Sequence, residues 1–128
     1  VFSKKTITVS NDAFQYFLPL LGDLNHEEFW VLLLDRGNKI QDSFRISQGG
    51  ISGTVIDVRI ILKPALEKQS SNIILCHNHP SGTLQPSQAD RQITTKIKDA
   101  AKLMDISVLD HIIIGQNKYF SFADEGIL

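Results

Sequence analysis

The 128-residue chain has a single cysteine, no excess of charge and no long apolar run, and each lack excludes a class of protein. Cys76 alone cannot form an internal disulfide, which removes the stapled secreted domains and makes a reducing compartment, the cytoplasm, the expectation. Thirteen Lys and Arg against fourteen Asp and Glu leave a net charge of −1. No overall basic field therefore gathers phosphates, and nucleic acid is disfavoured as the main ligand, a local patch aside. Apolar runs fall short of the roughly 18 residues of a membrane span, and the opening VFSKKTITVS has no signal-type apolar core, so a soluble protein with no membrane partner is expected. Internal repeats, low-complexity tracts and linkers are lacking too, which predicts one domain over residues 1–128. Nothing in the sequence specifies an oligomeric state. The chain opens on Val1 rather than Met, which fits a domain trimmed from something longer.

What is present is an ordinary globular composition, 42% hydrophobic and 21% charged, in a chain long enough to bury about two thirds of its unfolded surface. Ser10-Asn11-Asp12 offers N-cap residues ahead of an apolar stripe at Phe14, Phe17, Leu18 and Leu21, which predicts a helix over 11–21 with Pro19 weakening its last turn. Phe29 to Leu34 is apolar throughout, a strand buried on both faces. A turn at Arg36-Gly37-Asn38 leads into a partner strand through Ile40, Phe44 and Ile46. Gly49-Gly50 and Gly53 break the chain before a second helical stripe at Val58, Ile61, Leu62, Ala65 and Leu66, with Asp57 as cap and a kink or split expected at Pro64. Ile73-Ile74-Leu75 is a second buried strand. A long helix follows from Ser87 to about Met104, with Ile93, Ile97, Ala100, Ala101 and Met104 on one face. Strands near 106–114 and 118–122 close the chain. The order predicts an α/β domain, a mixed β-sheet with helices packed on it.

The segment His77-Asn78-His79-Pro80-Ser81-Gly82, followed by Ser87-Gln88-Ala89-Asp90, carries the chemistry. On a strand, residues i and i+2 share a face, so His77 and His79 present two imidazoles together while Asn78 and Cys76 point away. Asp90, in the first turn of the next helix, returns toward the strand end. Two His and one carboxylate around an open fourth position form the ligand set of a catalytic Zn²⁺ that keeps a water. A His-x-His pair alone is weak, and Ser87-x-x-Asp90 alone is a capping-box variant. Their coincidence at the end of a buried strand, where polar groups need partners, shifts the balance toward a metal site. His26 and His111 lack such company and read as surface residues or as supports behind the ligands.

His77-Asn78-His79-Pro80-Ser81-Gly82 with Pro86-Ser87-x-x-Asp90 resembles the JAMM signature of JAB/MPN metalloproteins, with complete spacing. The run His26-Glu27-Glu28-Phe29 to Leu34-Asp35, the segment Val58-Arg59 to Leu66, and Asp110-His111-Ile112-Ile113-Ile114-Gly115 resemble the bacterial RadC branch, over about residues 25–128. The resemblance implies a JAB/MPN fold related to cytidine deaminases and one Zn²⁺ held by His77, His79, Asp90 and a water. It implies an upstream Glu that deprotonates that water, for which alignment through Phe29 and Asp35 favours Glu27 with Glu28 as the fallback. Ser87, by the same resemblance, holds an oxyanion. RadC proteins commonly carry a helix-hairpin-helix region, for which the 26 residues before Glu27 are too few. The chain is thus either a RadC-like C-terminal domain or a short stand-alone relative.

The expected activity is zinc-dependent hydrolysis of a peptide or isopeptide bond in a protein or peptide substrate. A nucleobase deaminase fails because its signature needs a Cys-x-x-Cys pair and the chain has one Cys. A non-catalytic or DNA-repair-associated module is the alternative, opposed by the intact ligand set and by the charge. The letters H-N-H at 77–79 do not make an HNH nuclease, whose residues are spread over a ββα unit. Ubiquitin cleavage is not expected, because 49–57 and 115–117 are too short for the recognition insertions of JAMM deubiquitinases.

Overall fold

A computed structural model describes residues 5–48 and 56–128. The Gly49-Gly50 and Gly53 break lies outside them. In chain order the elements are α1 (Ser10–Leu21), β1 (Glu28–Leu34), β2 (Ile40–Gln48), α2 (Val58–Glu67), β3 (Asn72–Asn78), α3 (Gln88–Leu103), β4 (Ser107–Gly115) and β5 (Lys118–Ser121). The strands form one mixed sheet in the order β2-β1-β3-β4-β5. Among the described residues only the β3–β4 pair is parallel, and the long crossover between those two strands is α3. The α/β architecture is the one the element order implied.

The sheet is apolar on both faces, as the unbroken run Phe29–Leu34 requires. Phe29, Val31, Leu33, Ile73 and Leu75 pack under Ile61, Leu62 and Ala65 of α2 and Ile97 and Ala101 of α3. Leu32, Leu34, Ile74, Cys76, Ile112 and Ile114 meet Ala13, Phe14, Phe17 and Leu21 of α1 on the other side. Among the described residues, no helix is long and apolar enough to cross a membrane.

Several local expectations change. Helix α2 runs unbroken through Pro64. The carbonyl that proline leaves without its helical partner belongs to Ile60, a residue on the exposed side of the helix. Helix α1 ends at Leu21 as expected, with Gly22 N–H donating to the Leu18 carbonyl at 2.8 Å. Its N-cap is Val9, and Asp12 reaches back to accept from Thr8 N–H and Val9 N–H at 2.8 and 3.1 Å. Met104 is half exposed rather than on the core face, because it caps α3 just before Asp105 turns the chain at φ 58°. The turn between β4 and β5 places Gln116 and Asn117 at φ 48° and 64°, the left-handed pair that closes a tight hairpin.

Candidate metal centre

Strand β3 lies in the middle of the sheet, so polar residues at its C-terminal end enter a closed environment. His77 is 1% exposed, and its side chain shares the α2/α3 face with Leu75, while Cys76 is in the core on the α1 face. His79 follows the strand end, where its N–H donates to the Ile114 carbonyl at 2.8 Å and keeps the chain along β4. The loop beyond packs tightly on β4: a Cβ at Gly115 would stand 2.8 Å from the Gly82 carbonyl oxygen. It delivers the chain to Ser87, the N-cap of α3, and thus places Asp90 under the two imidazoles.

His77 Nε2 lies 3.1 Å from Asp90 Oδ1 and His79 Nε2 lies 3.3 Å from Asp90 Oδ2. The two Nε2 atoms are 2.9 Å apart. In a tetrahedron with bonds of about 2.0–2.2 Å, ligand atoms stand roughly 3.3–3.6 Å apart, so an opening of a few tenths of an ångström would seat an ion.

The hydrogen bonds behind the ligands fix where the protons sit. His79 Nδ1 faces the Thr83 carbonyl at 2.7 Å, which can only accept, so Nδ1 carries the proton and Nε2 a lone pair. Thr94 donates its one hydroxyl proton to the Asp90 carbonyl at 2.6 Å, and must therefore accept from His111 Nδ1. His111 is fully buried, and burial pushes its imidazole well below the ordinary value, so it is neutral and its Nε2 accepts from His77 Nδ1 at 2.8 Å. His77 Nε2 is left as a second lone pair. Two lone pairs and a carboxylate thus converge in a nearly dry site, an arrangement that needs a cation between them. A borderline divalent ion such as Zn²⁺ suits this donor set.

Without a metal, protons take that part. Burial disfavours the Asp90 carboxylate, yet its hydrogen bonds with His77 and His79 outweigh burial and hold the carboxyl far below the ordinary range. The hydrogen bond to Asp90 raises the His79 imidazole above its ordinary value, against burial, and the charge of Glu27 adds to the rise.

The two candidate bases separate by strand parity. Glu28 opens β1 beside Trp30, on the α1 side: its carboxylate accepts from Trp30 Nε1 at 3.0 Å, meets His26 Nε2 at 2.8 Å and lies 3.8 Å from Arg45. Glu27 precedes the strand in the parity of Phe29 and Val31, whose side chains lie on the metal face. Ser87 Oγ accepts from Asp90 N–H at 3.0 Å, and Ser87 N–H donates to Asp90 Oδ2 at 2.8 Å, a complete capping box. Its hydroxyl proton is not used by that box.

The structure brings His77, His79 and Asp90 together as one metal-capable group. Of the other two histidines, His26 is the surface residue and His111 the buried support. The role of Thr94 was not foreseen, and for His111 the sequence left surface residue and support open. A histidine followed directly by the apolar run Ile112–Ile114 was the available signal, since a buried imidazole needs partners. Asn78 does point away from the metal face, but its use there, described below, was also missed.

A family model for the RadC-like JAB domain matches residues 7–127, starting further upstream than the resemblance noted near residue 25. A UPF0758 protein of Flavobacterium johnsoniae is 54% identical over 127 residues, covering 99% of this chain and 56% of the relative. One from Porphyromonas gingivalis is 48% identical, covering 98% and 56%, and one from Chlorobaculum tepidum is 40% identical, covering 93% and 54%. The chain therefore spans about half the length of the curated relatives it matches.

Proposed function

Since the chain belongs to the RadC-like JAB domain family, we propose that it is a zinc-dependent hydrolase of the JAMM type that cleaves a peptide or isopeptide bond in a protein or peptide substrate. The convergence of His77, His79 and Asp90 donor atoms within 4.8 Å of one another carries this reading. Zinc, when bound, supplies Lewis acidity and lowers the pKa of a water toward about 7.

The chain's own residues divide the remaining work. Glu27, on the metal face, takes a proton from the attacking water as its oxygen bonds to the substrate carbonyl carbon. The same carboxyl then returns that proton to the amine nitrogen as the C–N bond breaks. Ser87 O–H is free to donate to the oxyanion that develops meanwhile. A net charge of −1 favours a protein or peptide substrate over nucleic acid.

The test is zinc reconstitution and elemental analysis, followed by a screen of peptide and isopeptide libraries with and without a chelator. Glu27→Gln should retain zinc and lose turnover by about 10²–10⁴-fold. A protein that takes up no transition metal, or a Glu27→Gln variant as active as the parent, would overturn the reading.

A further inference from the structure

Asn78 stands between the two histidine ligands in sequence and faces away from them. It is 2% exposed. Its Oδ1 accepts from Glu28 N–H at 2.8 Å, and its Nδ2 donates to the His26 carbonyl at 2.9 Å. Those two groups belong to the peptide units on either side of Glu27. The ladder between β1 and β3 ends at the pair Phe29–His77, so one side-chain amide takes over where main-chain pairing stops.

Resting on the proposed role of Glu27 as base, we propose that Asn78 is a positioning residue that fixes the Glu27 backbone relative to the metal ligands. The amide suits this task because the site needs one acceptor and one donor on the same planar group. A carboxylate would set a lone pair against the His26 carbonyl, and a hydroxyl is too short to span both peptides. Through this clamp, the strand that bears His77 and His79 also dictates where the base stands. Displacing a reacting group by about 1 Å can cost on the order of 10² in rate, so the clamp bears on turnover without touching the metal.

Asn78→Ala is compared with Glu27→Gln and with the double variant, in the zinc and the cobalt-substituted protein. Expected are unchanged metal stoichiometry, amide exchange at Glu28 faster by about 10-fold because one net hydrogen bond is lost, and turnover lower by about 10²-fold. The cobalt absorption spectrum should change as it does in Glu27→Gln. In the Glu27→Gln background, Asn78→Ala should have no further effect on spectrum or turnover, whereas a merely structural role would still lower both. Asn78→Asp, similar in size, serves if the alanine variant does not fold: it should keep Glu28 N–H protected while reproducing part of the spectral change. A Glu27→Gln effect with no matching effect of either Asn78 variant overturns the positioning role alone. No effect of Glu27→Gln overturns the proposed base and the clamp's purpose together.

Discussion

Thr94→Val tests the proton order behind the ligands with almost no change of shape. Thr94 is 3% exposed, and its hydroxyl stands between the Asp90 carbonyl and His111 Nδ1. Valine leaves the helix bond to that carbonyl in place but removes the acceptor for His111. Two outcomes follow for the metal-bound state. Either His111 keeps its Nδ1 proton unpaired in the core, at about 1–3 kcal/mol, or the proton moves to Nε2, 2.8 Å from His77 Nδ1. The second forces the His77 proton onto Nε2, where it blocks the lone pair that the metal uses. A free protein can choose whichever tautomer suits it, so the penalty falls on binding. At 1.4 kcal/mol per factor of ten, about 1–3 kcal/mol corresponds to roughly 5–150-fold in affinity, matching the 10–100-fold usual for residues that orient metal ligands. Competition titration against a chromophoric zinc chelator measures it, and ¹⁵N shifts of the imidazoles in the zinc form report the tautomers. A variant that binds zinc as the parent does, with the His111 tautomer unchanged, would refute the proton order.

Single replacements His77→Ala, His79→Ala and Asp90→Ala should each abolish stoichiometric zinc uptake, and the parent's affinity should fall with acid because both imidazoles must be neutral to bind; zinc retained by Asp90→Ala would remove that residue from the ligand set. Ser87→Ala should cost about 1 kcal/mol in thermal unfolding through the lost cap and lower turnover by about 10²-fold if the hydroxyl serves the oxyanion; a destabilised but fully active variant sinks the second role. Burial works against the Glu28 carboxylate, but its bonds to His26 and Trp30 prevail and set its pKa below the ordinary value. Its contribution to stability is therefore present at neutral pH and is lost as pH falls through the depressed value. The stability difference between parent and Glu28→Gln in urea titrations should shrink on acidification; a constant or growing difference would contradict the assignment.

The gathering of His77, His79 and Asp90 into one metal-capable group was legible because its geometry is local. Period-two alternation sends His77 and His79 to one face, and a helix capped by Ser87 returns Asp90 to them within one turn. The supports were not legible, because they depend on which strand lies beside which. His111 meets His77 only through the parallel register Leu75–His111, set after a shift between Ile73 and Ile74 that no local pattern encodes. Asn78 was read as pointing away, yet its partners come from the antiparallel register with β1, some 50 residues upstream. The proline in α2 misled for a different reason: propensity counts the lost bond, whereas the cost depends on whether water reaches the freed carbonyl.

All three candidate ligands lie within one stretch of 14 residues, from His77 to Asp90, joining one strand to the next helix. Closing so short a loop is entropically cheap, so an unfolded chain can already gather the two imidazoles and the carboxylate around an ion. Zinc should then raise the melting temperature less than its affinity for the folded protein implies, since affinity for the unfolded chain subtracts from the effect. Glu27 has no such autonomy: it reaches the ligands only after β1 has docked on β3. The three donors belong to one short segment, whereas the proton order behind them, through His111 and Thr94, and the proposed chemistry depend on the assembled fold. Prising β1 from β3 would leave the three donors on one segment and take the proposed base away.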